Sequence, residues 1–200
     1  MVRGRVVDPN GQPLVGIAVY DASGWVPGPE MTHTAADGTF EVGCTRGPIL
    51  LTGTGPDFLG PESPEQNWQR TFVGGGSTLA EAATPSCGPR SQQSEVVTTM
   101  FPGGMITGRV IDGDGNPVVG DAGRIGVYAD IPGLWPDAYE TSASCDGSNQ
   151  YWLVGLPPGD YKLFAPYFPT GPDVSFQTVH VEVGQVTVSD WYRPPNSSSS

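Results

Sequence analysis

Lysine is nearly missing from this chain of 200 residues: Lys162 is the only one, and 9 Lys and Arg side chains face 21 Asp and Glu, for a formal net charge of −12. So acidic a field repels phosphate backbones, which excludes nucleic acid and anionic membrane surfaces as partners. Residues 1–102 carry 5 basic and 10 acidic side chains and residues 103–200 carry 4 and 11, so neither half sets aside a basic patch. Long apolar runs are missing too. None approaches the roughly 18 to 20 residues of a bilayer-spanning helix, which excludes membrane insertion by that route. Helical patterning is confined to "STLAEAA" at Ser77–Ala83, where Thr78 and Glu81 have capping-box spacing but the segment is barely two turns. The two histidines, His33 and His180, fall in different halves and make no zinc or iron site unless those halves meet. No GxSxG elbow or HExxH helix occurs, and the Gly-rich "VGGGST" at Val73–Thr78 lacks the lysine of a phosphate loop.

Glycine and proline are abundant, 29 and 21 residues, and they stand at regular intervals between short apolar runs, which predicts many turns between short strands. The phrase "GRVVDPNGQPLVG" at Gly4–Gly16 returns as "GRVIDGDGNPVVG" at Gly108–Gly120, 104 residues further on. The copies stay parallel: "GIAVYDASGW" answers "RIGVYADIPGLW", "TAADGTFEV" answers "SASCDGSNQYWLV", and "GPILLTGTG" answers "GDYKLFAPY". Each piece reads as a strand of about five to eight residues bounded by Gly, Pro, Asn or Asp. The expectation is an all-β chain of two units, 1–100 and 103–192, joined by "MFPGG" at Met100–Gly104, with an inserted loop at 74–93 in the first. A Pro/Ser tail of linker composition follows at 193–200, with a glycosylation sequon at Asn196. "FQTVHVEVGQVTVSDW" reads as a hairpin turning at Gly184 and Gln185 with one valine face inward. Phe40 and Trp152 are expected in the cores, with Trp68 and Trp191 over the module ends. Met1 aligns with Met105, which "FPGG" precedes, so the chain is expected to be a piece of a longer array.

Three groups of residues invite a chemical reading. Asp112, Asp114 and Asn116 match the first ligand positions of a calcium loop, but Pro117 stands at the sixth position and Gly123 at the twelfth, where Gly and a bidentate Glu are needed. Asp8, Asn10 and Gln12 in the first copy fit less well. Turn formation is the expected role of both sets, with no metal and no cofactor. Glu62 and Glu65 lie in a Pro-rich loop and read as solvated surface. Trp25 in "GWVPGPE" and Trp135 in "GLWPDAYE", with Tyr139 close behind, occupy corresponding loops; they either stack on sugar rings or anchor a protein partner, or else cap their own modules. Cys44, Cys87 and Cys145 permit three single disulfides. Cys44 and Cys87 share the first half without counterparts in the second, which favours that pair, and closing so long a loop adds on the order of 4 kcal/mol in the chain-entropy picture.

The phrase "GRVxDxxGxPxVG", then "VY", then "DGTFxV", then "GLPPGDYKL" resembles the carboxypeptidase regulatory-like domain, over nearly the whole chain and best through Gly108–Val183. The resemblance implies a transthyretin-like (Ig-like) antiparallel β-sandwich of seven strands, close to the Cna B-type modules of bacterial surface proteins, and a non-catalytic role. Some Cna B-type modules crosslink themselves from a lysine in the opening strand; the first half here has no lysine, and Lys162 lies in "YKL", which argues against that chemistry. The intradiol dioxygenases share a related sandwich but need two Tyr and two His in one domain, which neither half offers. The expected function is a structural or adhesive module pair at a bacterial cell or particle surface, extracellular, not an enzyme, that spaces or binds a protein or polysaccharide surface or assembles as a homo-oligomer. The alternatives are a phage virion decoration or tail protein, which predicts reduced thiols, and a carbohydrate-binding module, which predicts exposed Trp25 and Trp135.

Overall fold

The computed structural model describes residues 1–22, 30–53, 67–76, 82, 95–111, 114–116, 126–130, 139–142, 150–164 and 177–192. Among them there is no helix. Strands β1 (Val2–Val7), β2 (Ala18–Asp21), β3 (Glu30–His33), β4 (Thr39–Val42), β5 (Ile49–Thr52), β6 (Thr71–Phe72) and β7 (Val96–Thr99) form two sheets, ordered β4-β1-β7 and β3-β2-β5-β6. Strands β8 (Gly104–Ile111), β9 (Gly126–Asp130), β10 (Tyr139–Ser142), β11 (Gln150–Leu156), β12 (Gly159–Phe164), β13 (Gln177–Val181), β14 (Val186–Val188) and β15 (Trp191–Tyr192) form two more, ordered β11-β8-β14 and β10-β9-β12-β13, with β15 continuing along β8. Adding seven to each strand number of the first pair of sheets gives the second pair. The repeated phrase is therefore the opening strand and first turn of one topology built twice, and the chain is all-β.

The alternation of β1 explains its place. Val2, Gly4 and Val6 face inward, while Arg3 is exposed and Arg5 half-exposed. Val2, Val6, Phe40 and Val42 from one sheet meet Val19, Ile49 and Leu51 from the other, and Leu14, Ile17, Val73 and Met100 complete the core between them. Gly4 sits directly opposite Phe40, and a Cβ at Gly4 would overlap the Phe40 ring, so the ring lies across the bare backbone of its partner strand. The second sandwich repeats the device. Gly108 pairs with Tyr151, which is fully buried, and a Cβ at Gly108 would run into the Ser189 carbonyl oxygen as well as the ring. The Tyr151 hydroxyl donates to that same carbonyl.

Two expectations are corrected. Trp152 is only half-buried, because it pairs with Thr107 and faces away from its neighbours Tyr151 and Leu153, which fill the core. The segment from Gln177 to Val188 is not a hairpin. β13 pairs with β12 while β14 pairs in parallel with β8, so the turn at Glu182–Gln185, with Gly184 at φ 71, carries the chain from one sheet to the other. Val179 and Val181 accordingly point inward, whereas Val183, Val186 and Val188 are exposed.

"LPPGDYKL" is a corner of the same kind. β11 and β12 belong to different sheets, and the Tyr161 hydroxyl reaches back to the Pro157 carbonyl at 2.5 Å, the arrangement by which sandwiches fix such a crossing.

Gly4→Ala is expected to lower the stability of the first sandwich by about 1–3 kcal/mol, the cost of overpacking a filled core. Gly108→Ala should cost the second sandwich more, since a backbone carbonyl cannot turn away as a ring can; urea unfolding of the two variants compares them, and an equal or smaller cost for Gly108→Ala would refute the account. Burial first, and then the Asp190 charge, push the Tyr151 phenol up from 10.0 to about 12. The folded state thus keeps its proton after the unfolded state has lost one, so this contribution is whole below pH 10 and fades as pH rises from 10 to about 12. The unfolding midpoint should fall across that window in the wild type and fall less in Tyr151→Phe.

Candidate functional site

The acidic turn of the first repeat is fully engaged in its own closure. Asp8 Oδ1 accepts from the backbone N–H of Asn10 at 2.8 Å and of Gln12 at 2.7 Å, while the Asp8 N–H donates to the Gln12 carbonyl at 2.8 Å and the Gly11 N–H to the Asp8 carbonyl at 3.0 Å. Gly11 takes φ 80, which only a residue without Cβ adopts freely. The ladder ends at the bridge between Val7 and Pro13, as a residue without an N–H requires. An oxygen that already holds two N–H groups points at the backbone, not at a cation. In the second copy Asp114 and Asn116 are exposed, and Gly115 repeats the positive φ at 82. Among the described residues no three His, Cys, Asp or Glu side chains gather as a metal site.

The turn at Asp37 follows the same rule. Its Oδ1 accepts from the Thr39 hydroxyl at 2.6 Å and the Thr39 N–H at 3.1 Å, and those bonds hold its carboxyl below the ordinary range. Beside it opens a cleft of about 290 Å³ at the gap between the edge strands β3 and β4, lined by Arg3, Thr32, His33, Thr39, Glu41 and Glu95 among others. Arg3 Nε stands 3.6 Å from Glu41 Oε2, with the side chains 47% and 22% exposed, a pair that water screens. His180 lies in the other sandwich, exposed, with Nδ1 2.7 Å from Asp160 Oδ1 across the β12–β13 pair. The two histidines are not brought together. Lys162 is exposed on β12.

Cys44 is disulfide-bonded, and the Met1 ammonium donates to its Sγ at 3.1 Å. Cys87, Cys145, Trp25, Trp135, Glu62, Glu65, Asp112 and Asn196 lie outside the described residues, as does nearly all of Ser77–Ala83. Tyr139 opens β10, its backbone opposite Ala129. Two further residues complete backbone pairing without belonging to any motif. Thr34, buried, donates its hydroxyl to the Leu14 carbonyl at 2.6 Å and accepts from the Ile17 N–H at 2.9 Å, stitching two crossing segments. Asp190 Oδ1 accepts the Arg109 N–H at 2.9 Å between β14 and β15, standing in for a strand carbonyl. A lone Thr or Asp carries no spacing signal that would announce either role.

Calcium or EDTA is expected to leave the thermal midpoint unchanged, because a ligand that binds only the folded state would raise it. Asp8→Ala should cost about 1–2 kcal/mol by releasing two N–H acceptors. A calcium-dependent rise in the wild type that Asp8→Ala abolishes would overturn the turn-former assignment.

No family model and no curated protein matches the chain. In three dimensions it is similar to the Streptococcal ancillary pilin, at TM-score 0.34 and 14% identity over 98% of this chain and 62% of that one, so it spans about three-fifths of that protein. It is also similar to the shaft pilin SpaA from Lactobacillus rhamnosus GG, at TM-score 0.35 and 11% identity over 100% of this chain and 98% of that one. A third similar structure is the minor pilin of Streptococcus agalactiae, at TM-score 0.32 and 14% identity over 100% and 98%.

Proposed function

We propose that the chain is a non-catalytic structural pair of modules, residues 1–100 and 103–192 with a tail at 193–200, that acts at a bacterial cell surface as a spacer or as a subunit of a surface assembly. The observation that carries this reading is the use to which the repeated phrase is put. In both copies the shared glycine lies under an aromatic ring, and in the first the acidic side chain closes its own turn, so the letters that look like chemistry serve folding. The disulfide at Cys44 supports an oxidising compartment and favours the surface over the interior of a cell. Cys87 is its proposed partner, and the modules are proposed to belong with the carboxypeptidase regulatory-like sandwiches. Trp25, Trp135 and Tyr139 are the proposed contacts to a protein or polysaccharide surface.

Antibody labelling of intact, unpermeabilised cells of the source organism tests the location, with labelling expected before permeabilisation; labelling only afterwards would sink the proposal. Non-reducing peptide mass spectrometry is expected to find Cys44 linked to Cys87. A Cys44–Cys145 link would overturn the pairing, and reduced thiols in protein taken from the source would overturn the compartment.

A further inference from the structure

We infer that residues 67–70 form a strap that locks the two sandwiches into one rigid unit, with the Asn67 amide as its fastening. Three backbone segments converge here: 67–70 from the connection between β5 and β6, 100–104 between the sandwiches, and the bulge of β11 between Leu153 and Leu156. Asn67 is 7% exposed. Its Nδ2 donates to the Gly103 carbonyl at 2.9 Å, its Oδ1 accepts the Gly155 N–H at 2.6 Å, and its own carbonyl accepts the Gly103 N–H at 2.8 Å. The orientation of the amide is fixed by these partners, because exchanging its oxygen and nitrogen would set donor against donor at Gly155 and acceptor against acceptor at Gly103. Aspartate offers no donor here and leucine offers neither group.

The rest of the strap is held from both sides. Trp68 packs against the first core while its backbone bridges Pro102, and Gln69 donates from its backbone to Phe101 and from its side chain to Pro102, both at 2.8 Å. The second sandwich presses in through glycines. A Cβ at Gly155, which has φ 67, would lie 2.5 Å from the Trp68 carbonyl, and a Cβ at Gly103 would lie 2.8 Å from Gly155 Cα. The Gly103 carbonyl also takes the Gly184 N–H at 2.9 Å, so one oxygen is shared between a donor from each sandwich. "MFPGG" reads as a linker, yet Met100 is fully buried in the first core and Gly103 is buried at the junction. Bending the joint would leave several buried polar groups without partners, which a water-accessible hinge avoids.

This inference rests on the junction alone and not on where the protein resides. Backbone ¹⁵N relaxation on the full chain tests it: one shared rotational correlation time is expected for the strand amides of residues 2–99 and 104–192. Separate tumbling of the two sets in the wild type would overturn it outright. Asn67→Ala should uncouple the tumbling and speed hydrogen exchange at the Gly155 amide about tenfold. The amides of Val6 and Ser189, bonded within their own sandwiches, should keep their protection. Unchanged tumbling and unchanged Gly155 exchange in that variant would refute the role of the amide. Should the alanine variant not fold, Asn67→Asp keeps the acceptor for the Gly155 N–H and lacks the donor to the Gly103 carbonyl, so tumbling alone is the readout there: uncoupling is expected, and unchanged tumbling would refute the role of the amide.

Discussion

Each sandwich depends on an aromatic ring laid across a glycine in its opening strand. β1 is hydrogen-bonded on both edges, to β4 and to β7, and β8 likewise to β11 and β14, so neither strand can shift sideways to make room for a bulky pair. The space between two packed sheets is about 10 Å, which a ring fills only if the residue opposite has no side chain of its own. Gly4 with Phe40 and Gly108 with Tyr151 solve that problem in the same way, and the second solution is tighter because the Tyr151 hydroxyl is tied to the Ser189 carbonyl beside Gly108. The glycine of "GRV" is therefore a packing residue, and it sets the register of the strand opposite.

Around that pair, the polar side chains complete backbone pairing. Asp8 and Asp37 hold N–H groups that tight turns leave without strand partners, Thr34 serves both a buried carbonyl and a buried N–H, and Asp190 continues the β8 ladder where the chain steps between β14 and β15. A buried backbone group without a partner costs about 1–3 kcal/mol, so a small sheet with short strands needs such substitutes at nearly every interruption. An acidic sequence with a single lysine meets that need with carboxylates, which accept from N–H groups, and with the Thr34 hydroxyl, which both donates and accepts.

Much of this was legible in the sequence. The duplication, the strand–turn rhythm, the inward Phe40 and the turn chemistry of "DPNGQP" follow from period-two patterning and from what Gly, Asp and Pro do to a backbone. Register was harder. Aligning "TFEV" with "YWLV" letter by letter sets Phe40 against Trp152, but the glycine opposite chooses Tyr151, and a slip of one residue moves a side chain to the other face. The valines from Val179 to Val188 alternate as a hairpin would, yet local pattern carries no information on which sheet receives the second strand. Asn67 was illegible for a different reason: its partners, Gly103 and Gly155, lie 36 and 88 residues away, and a single amide in a Pro-rich stretch announces no long-range pairing.

The two copies share a topology but not a surface. In β12, Asp160 and Lys162 are exposed and Tyr161 and Leu163 buried, the alternation of a sheet with one face in water. Its counterpart β5 reads "ILLT" and is buried throughout. On the outer side of that sheet Ala18, Tyr20, Leu50 and Phe72 form a second apolar cluster, and Ala82 from the inserted segment packs against it. An unbroken apolar run in a short strand is the sequence signature of burial on both faces, and here Ala82, from the insertion that only the first copy possesses, packs against the outer face together with Ala22. The apolar run "ILL" thus serves two clusters at once: Ile49 and Leu51 belong to the core between the sheets, while Leu50 joins Tyr20 and Phe72 on the outer face, where Ala82 packs.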